Sequence, residues 1–246
     1  FVDLNAYLYR FLSRSGYKSP MVSKIPRASA GKYAMAIDVT REQIYFLAHN
    51  GTFNVIGFDG AIRSGDKLLV QGPDAHLQYP HLNVDSQGDL HAAWTNTKRG
   101  GKLYWDIHHM YSTDGGSSWR TIPNERIDSP VVSDRHGPTL RVTLDDEFEV
   151  STWLASFRAS NDKLHFMYRA GTAQVRQHYV RFDRQSGKRD IDLFPSFGGE
   201  DLSHIGLDGF LVLGANGENV YAVGRDPKGH VICLISRDCG QNWNDY

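Results

Sequence analysis

The residues best suited to chemistry are polar and aromatic side chains set beside apolar runs. Tyr79-Pro80-His81, Arg135-His136-Gly137-Pro138 and Ser203-His204 each precede an apolar segment, while His49-Asn50, Thr95-Asn96, Arg158 and Arg225-Asp226 each follow one. If those runs are strands, these positions are entrances and exits, and a ring of His, Arg, Asn and Tyr collects at one end of the fold. Such a ring suits an acidic sugar. Arg pairs a carboxylate through two parallel hydrogen bonds, aromatic rings stack on sugar faces, and His exchanges protons near neutral pH. His81 leads the candidates, because it abuts an apolar run and follows Tyr and Pro, which hold the backbone extended. Tyr79, Asn96, His136, Arg158 and Arg225 are the candidate binding residues. His108 and His109 are adjacent and face opposite sides of a strand. His165 stands at the repeat position of His108, which suits packing, whereas His109 stands where Phe166 and Cys233 occur and is the specialist of the two. The plain alternative for each is a satisfied turn or core residue, and Tyr111 and Tyr168, which share a repeat position, are more often core. No G-x-S-x-G elbow, Walker loop, G-x-G-x-x-G turn, H-E-x-x-H or Cys/His zinc spacing occurs, so no metal or cofactor is expected.

The elements that must position these residues repeat along the chain. Four segments read as apolar strand, polar turn, apolar strand. They are Met35–Asp38 with Gln43–Ala48, Leu82–Asp85 with Asp89–Trp94, Leu140–Thr143 with Glu147–Trp153, and Leu211–Gly214 with Asn219–Gly224. We take these as the inner strands A and B of successive sheets starting near residues 33, 79, 136 and 205. His108–Tyr111 and His165–Tyr168 line up as third strands, and Gln177–Phe182 as a fourth. Asp145-Asp146-Glu147 reads as a solvated hairpin tip, and Asp183-Arg184 and Lys188-Arg189-Asp190 as solvated loops. Leu4 to Ser13 reads as a short amphipathic helix capped by Asp3 or Asn5, and residues 18–30 as a possible closing strand, so residues 1–32 form a leader to residues 33–246. Overlying this is a motif, S-x-D-x-G-x-x-W, at Ser112–Trp119 and again at Ser236–Trp243, each copy after an apolar strand. Ser and Asp close a turn onto their own backbone, Gly takes a geometry other residues resist, and Trp buries a large ring.

The whole chain sets outer bounds. It has 246 residues, a net charge of −1, 12% aromatic residues and 24 Gly. That mix suits short strands and tight turns. No basic footprint for nucleic acid is present, and no apolar run of about 18 residues suggests a membrane span. The chain starts at Phe1 and stops soon after a motif Trp, so a processed or truncated protein is expected. Cys233 and Cys239 are close enough to pair, although one reads as strand and the other as turn.

The S-x-D-x-G-x-x-W motif resembles the Asp-box, or BNR repeat, of β-propeller blades. The segment Tyr79–Trp94, running on to His108–Tyr111 and the first box, is similar to the propeller polysaccharide lyases of the ulvan lyase type. The resemblance implies an all-β propeller of four-stranded antiparallel blades, either five-bladed or part of a larger, for example seven-bladed, ring. It further implies a secreted or periplasmic lyase that cleaves a uronate-containing acidic polysaccharide by β-elimination. His81, His109 and Tyr168 would be its proton-transfer residues, and Arg would neutralise the uronate. In that family the box lies far from the active site. Two other readings stay open, a sialidase-like glycoside hydrolase and a non-catalytic carbohydrate-binding propeller. Against a sialidase, Ser23-Lys24-Ile25-Pro26-Arg27 carries Lys where that family's motif has Arg.

Overall fold

The computed structural model describes residues 5–29, 31–63, 65–72, 75–98, 104–134, 140–143, 152–160, 162–170, 176–193, 196–197, 200–201, 209–225 and 229–246. His136, His204, the Asp145–Glu147 tip and Asp226 lie outside them. The described residues form strands, with one 3-10 turn at Ser13–Ser15 and no α-helix.

A leader hairpin pairs β1 (Asn5–Arg10) with β2 (Met21–Ser29). Blade 1 is β3 (Tyr33–Asp38), β4 (Gln43–Ala48), β5 (Thr52–Gly57) and β6 (Asp66–Lys67), in that order. After β7 (Leu69–Val70), blade 2 is built from β8 (Ala75–Val84), β9 (Leu90–Lys98), β10 (Tyr104–Ser112), β11 (Trp119–Arg120) and β12 (Arg126–Ile127). Next come β13 (Val131–Val132), which pairs in parallel with β7, and β14 (Leu140–Arg141). Blade 3 is β15 (Trp153–Ala159), β16 (Lys163–Ala170), β17 (Arg176–Asp183) and β18 (Arg189–Leu193). A short pair, β19 (Ser196–Phe197) and β20 (Glu200–Asp201), precedes blade 4. That blade is β21 (Phe210–Leu213), β22 (Val220–Arg225), β23 (Val231–Ser236) and β24 (Asn244–Asp245). The chain is thus an all-β propeller architecture of antiparallel sheets, four-stranded in blades 1, 3 and 4 and extended in blade 2.

Alternation decides how the blades stack. In β3, Ala34, Ala36 and Asp38 are buried while Tyr33, Met35 and Ile37 face outward, the two-residue period of a strand. The small alanines let β3 lie close to β8. Each seam then has its own apolar cluster. Leu47, Phe53, Leu82, Trp94 and Trp119 fill the seam of blades 1 and 2. Phe157, Leu164, Phe166 and Tyr168 fill that of blades 2 and 3, and Met167, Tyr179, Leu211 and Leu234 that of blades 3 and 4. Each such large side chain contributes about 1.5–3 kcal/mol on burial.

The two S-x-D-x-G-x-x-W turns have the same construction. Asp114 Oδ1 accepts from Ser118 N at 2.8 Å and from Ser112 Oγ at 2.8 Å. Asp238 Oδ1 accepts from Asn242 N at 2.9 Å and Ser236 Oγ at 2.7 Å. These bonds hold both carboxyls below the ordinary range, Asp238 at about 2. Gly116 and Gly240 sit at φ of 90° and 92°. Each glycine meets an aromatic ring of the preceding blade, Phe53 and Tyr179 respectively. Trp119 packs edge-on to Phe53 at 5.6 Å, and Trp243 edge-on to Tyr179 at 5.1 Å. The motif is therefore a blade-to-blade clasp.

Three expectations need correction. Leu4 to Ser13 is not a helix, since β1 occupies Asn5–Arg10. Its Tyr-Leu-Tyr core favours a strand, and β2 supplies the pairing partner. Blade 3 does not begin near 136. Its A strand is Trp153–Ala159, and His165–Tyr168 and Gln177–Phe182 are its second and third strands. Leu140–Arg141 instead pairs with His108 and His109 of β10. The short β11 reaches only Tyr111, so the rest of that edge offers unpaired backbone groups that β14 fills. Lys188–Asp190 is not a loop, because Arg189 opens β18, and Asp190 pairs with Arg181 and Lys163. The two cysteines are both free.

Candidate functional site

The A–B turn of blade 2 and the first motif turn lie at one end of the strands, where Arg41 donates to Gly88 O at 2.6 Å and Thr113 O at 3.0 Å. The chemistry-bearing residues lie away from that end. A groove of about 480 Å³ is lined by Lys32, Tyr33, Met35, Tyr79, His81 and Arg158, among others. It brings together three sequence candidates from two blades, Tyr79 and His81 of blade 2 and Arg158 of blade 3.

Each is placed by a local device. His81 and Tyr79 lie within β8 rather than at its start, at a β-bulge between Gln78 and His81. Tyr79 has φ of 43°, unusual for a residue other than Gly. The bulge breaks the alternation and re-aims side chains, as bulges beside functional sites do. Arg158 is near the end of β15, which is tied to β8 by Ala159 N donating to Asn83 Oδ1 at 2.9 Å. Its guanidinium donates to Phe157 O at 2.8 Å. Burial lowers its pKa, yet a guanidinium remains charged.

Burial pulls the His81 imidazole down to about 4, assisted by the Arg158 charge and opposed by a hydrogen bond to the Leu154 main chain. At neutral pH the ring is uncharged and able to accept a proton. Lys32 lies 4.0 Å from the Tyr79 ring centroid and bonds Gln78 Oε1. Gln78 in turn meets the His49 ring at 3.3 Å. Burial and the Lys32 charge lower the His49 pKa. No Asp or Glu is among the groove's described lining residues, so its fixed charge is cationic.

The other candidates go elsewhere. His109 is fully buried in the seam of blades 2 and 3, its Nε2 3.1 Å from His91 Nδ1 and its ring 5.3 Å from Phe157. His91 meets Asp85 at 3.2 Å, and Asp85 pairs with Arg184 at 2.6 Å. Tyr168 is also fully buried. Neither His109 nor Tyr168 is among the groove's described lining residues, and both pack in the seam. The alternation of strands β10 and β16 turns them toward neighbouring blades. Asn96 is buried and donates to Ser133 O at 2.7 Å, so it secures a loop rather than facing a ligand. Arg225 ends β22, is exposed, and is not among the groove's described lining residues. His136 lies outside the described residues.

Sequence reading missed Tyr104 and Trp153. Their rings stand 4.2 Å apart, and Trp153 is also 4.2 Å from Tyr79. A signal was present, since both are aromatic residues that open strands, β10 and β15. A second groove of about 650 Å³, reached by the other side of Arg158, is lined by Asn83, Asp85, Asp162, Asn216 and Glu218.

No family model matches the chain, and no curated protein matches it in sequence. Solved structures do resemble it. One is a polysaccharide lyase titled an ulvan lyase, with TM-score 0.65 and 14% identity over 93% of this chain and 59% of that one. The same lyase bound to -[GlcA(1-4)Rha3S]- gives 0.64, with 14% identity and the same coverage. A Trypanosoma rangeli sialidase in complex with the inhibitor DANA gives 0.51, with 11% identity over 93% of this chain and 41% of that one. The chain therefore spans about 59% of the length of the ulvan lyase structure. At these identities the likeness carries the fold. No helix among the described residues is long and apolar enough to cross a membrane.

Proposed function

We propose that the chain is the site-bearing part of a polysaccharide lyase that acts on a uronate-containing acidic polymer by β-elimination. The observation that carries this reading is the meeting of His81, Tyr79 and Arg158 in one groove whose described lining has no carboxylate. Arg158 would neutralise the uronate carboxylate, which makes the C5 proton more acidic. Neutral His81 would take that proton. The freed electron pair forms the C4–C5 double bond as the C4–oxygen bond breaks, and the Tyr79 hydroxyl would supply the proton to the departing oxygen. Support also comes from the ulvan lyase likeness in fold, and from motif turns that hydrogen-bond as Asp-box turns would and stand away from the groove. A secreted or periplasmic location belongs to the same reading. The hydrolase alternative would need a pair of acids facing one sugar, and the groove's described lining has none.

The test follows ultraviolet absorbance of unsaturated uronate on a native polymer and its carboxyl-reduced form. Wild type should cleave only the native form. His81→Ala should lower turnover by about 100-fold or more, and Arg158→Lys should chiefly raise KM, because charge survives and the fork does not. The acid limb of kcat/KM should fall near pH 4, where His81 gains its proton. A bound carboxylate favours the protonated ring, so the kcat limb should lie higher. Equal cleavage of both polymers with saturated products would transfer the reading to a hydrolase. Binding without cleavage would transfer it to a carbohydrate-binding propeller.

A further inference from the structure

We infer that Trp153-Leu154, at the start of β15, is the positioning element of the His81 groove, with the Trp153 ring clamping Tyr79 and the Leu154 main chain orienting the imidazole. The inference rests on the reading of His81 as the proton acceptor. It assigns work to residues that touch neither sugar nor proton in that reaction.

Tyr79 needs an external hold. Its φ of 43° is a conformation that non-glycine residues leave unless neighbours impose it, and Pro80 next in the chain restricts it further. The neighbours are identifiable. Trp153 lies 4.2 Å from the Tyr79 ring at an interplanar angle of 31°. Lys32 stands 4.0 Å from the Tyr79 ring centroid. Tyr104 lies 4.2 Å from Trp153 and 5.8 Å from Tyr79. The three rings form a closed triangle, so their faces are largely spent on one another. That arrangement fits a brace better than an open surface for a sugar.

The next residue handles the imidazole. Leu154 N donates to Thr95 Oγ1 at 3.0 Å, which fixes the peptide in place. The Leu154 main chain beside the His81 ring favours the protonated ring, as a carbonyl acceptor does. A ring nitrogen donating to that carbonyl would leave the lone pair on the other nitrogen. β15 has its own bulge between Leu154 and Ser156, facing the bulge of β8. Two irregularities on neighbouring A strands thus meet around one dipeptide. The charged or titratable groups facing His81 here are Arg158, Lys32 and, through Gln78, His49.

The experiment has two readouts, one of which needs no substrate. In the first, Trp153→Ala, Trp153→Phe and Tyr104→Phe are compared with wild type on the uronate polymer. Trp153→Ala should lower kcat by roughly 10- to 100-fold, the scale of a displaced reacting group, with KM within about threefold of wild type. Trp153→Phe should recover most of the loss, and Tyr104→Phe should fall between. A rise in KM at unchanged kcat would overturn the inference and make Trp153 a sugar-contacting surface. In the second, NMR titration of the His81 ring in the free protein reports tautomer and pKa. Wild type should show a single tautomer and an acidic pKa, while Trp153→Ala should show mixed tautomers. If Trp153→Ala does not fold, Trp153→Phe and Tyr104→Phe carry the same titration, with smaller changes in tautomer ratio. A His81 ring unchanged in every folded variant would overturn the inference even if no polymer is cleaved. Altered rings in a protein that cleaves nothing would uphold it and sink only the lyase reading.

Discussion

Gly116→Ala isolates what the motif does. Gly116 is at φ of 90°, where an alanine is strained by about 1–2 kcal/mol or more. A Cβ there would also stand 2.5 Å from Phe53 Cε1. Ordinary contact begins near 3.5 Å, so the Phe53 ring must shift within a seam that also holds Trp119 and Leu90. Overpacking of that kind costs about 1–3 kcal/mol. The sum is a loss of about 2–5 kcal/mol. Phe53→Leu alone gives up ring area and the edge contact with Trp119, roughly 1–2 kcal/mol. In the double variant the clash is gone and the backbone strain remains. The pair should then fall short of additivity by about 1–3 kcal/mol. Urea unfolding followed by tryptophan fluorescence measures all four proteins, with unchanged slopes as the check on two-state behaviour. Strict additivity would refute the clasp and leave Gly116 as a turn residue alone. The same cycle at Gly240 and Tyr179 should give the same sign, since a Cβ at Gly240 would lie 2.5 Å from Tyr179 Cζ.

Other outcomes follow from buried groups. Burial holds His165 down to about 3 and lowers His91 and His109. These rings are neutral when folded but gain protons in the unfolded chain below about pH 6.5. Stability should be full above that value and fall as pH drops toward the folded values, each histidine adding up to about 1.4 kcal/mol per pH unit. Urea midpoints between pH 7.5 and 5 would show it, His165→Gln should flatten the slope, and a flat wild-type profile would contradict it. Arg184→Met should cost about 1–3 kcal/mol, because it removes the cation from the buried Asp85 carboxylate, which keeps His91 and the Gln87 and Asp89 main-chain donors, and adding Asp85→Asn should restore part of the loss in the same melts. His109→Phe should leave turnover on any cleaved polymer within about twofold, and a 100-fold loss would return His109 to the catalytic machinery.

Some of this was legible in the chain because it is local. The S-x-D-x-G-x-x-W turns close on themselves within eight residues, so residue type and spacing specify them wherever they stand. The A–B hairpins of blades 1, 2 and 4 follow from alternation and turn residues, and His81 and Arg158 were visible at the edges of apolar runs. Tertiary structure decided the rest. An apolar–turn–apolar pattern is the same for an A–B hairpin as for a B–C hairpin, so only pairing across β10 showed that Leu140–Arg141 completes blade 2. Depth is likewise not a property of one strand. His109 and Tyr168 are buried because another blade covers the face they point to, and no local pattern carries that information. The brace of Tyr79, Tyr104 and Trp153 unites three strands of two blades. A strand's sequence determines its two faces, and only the stacking of blades determines which face meets a neighbour and which opens on a groove.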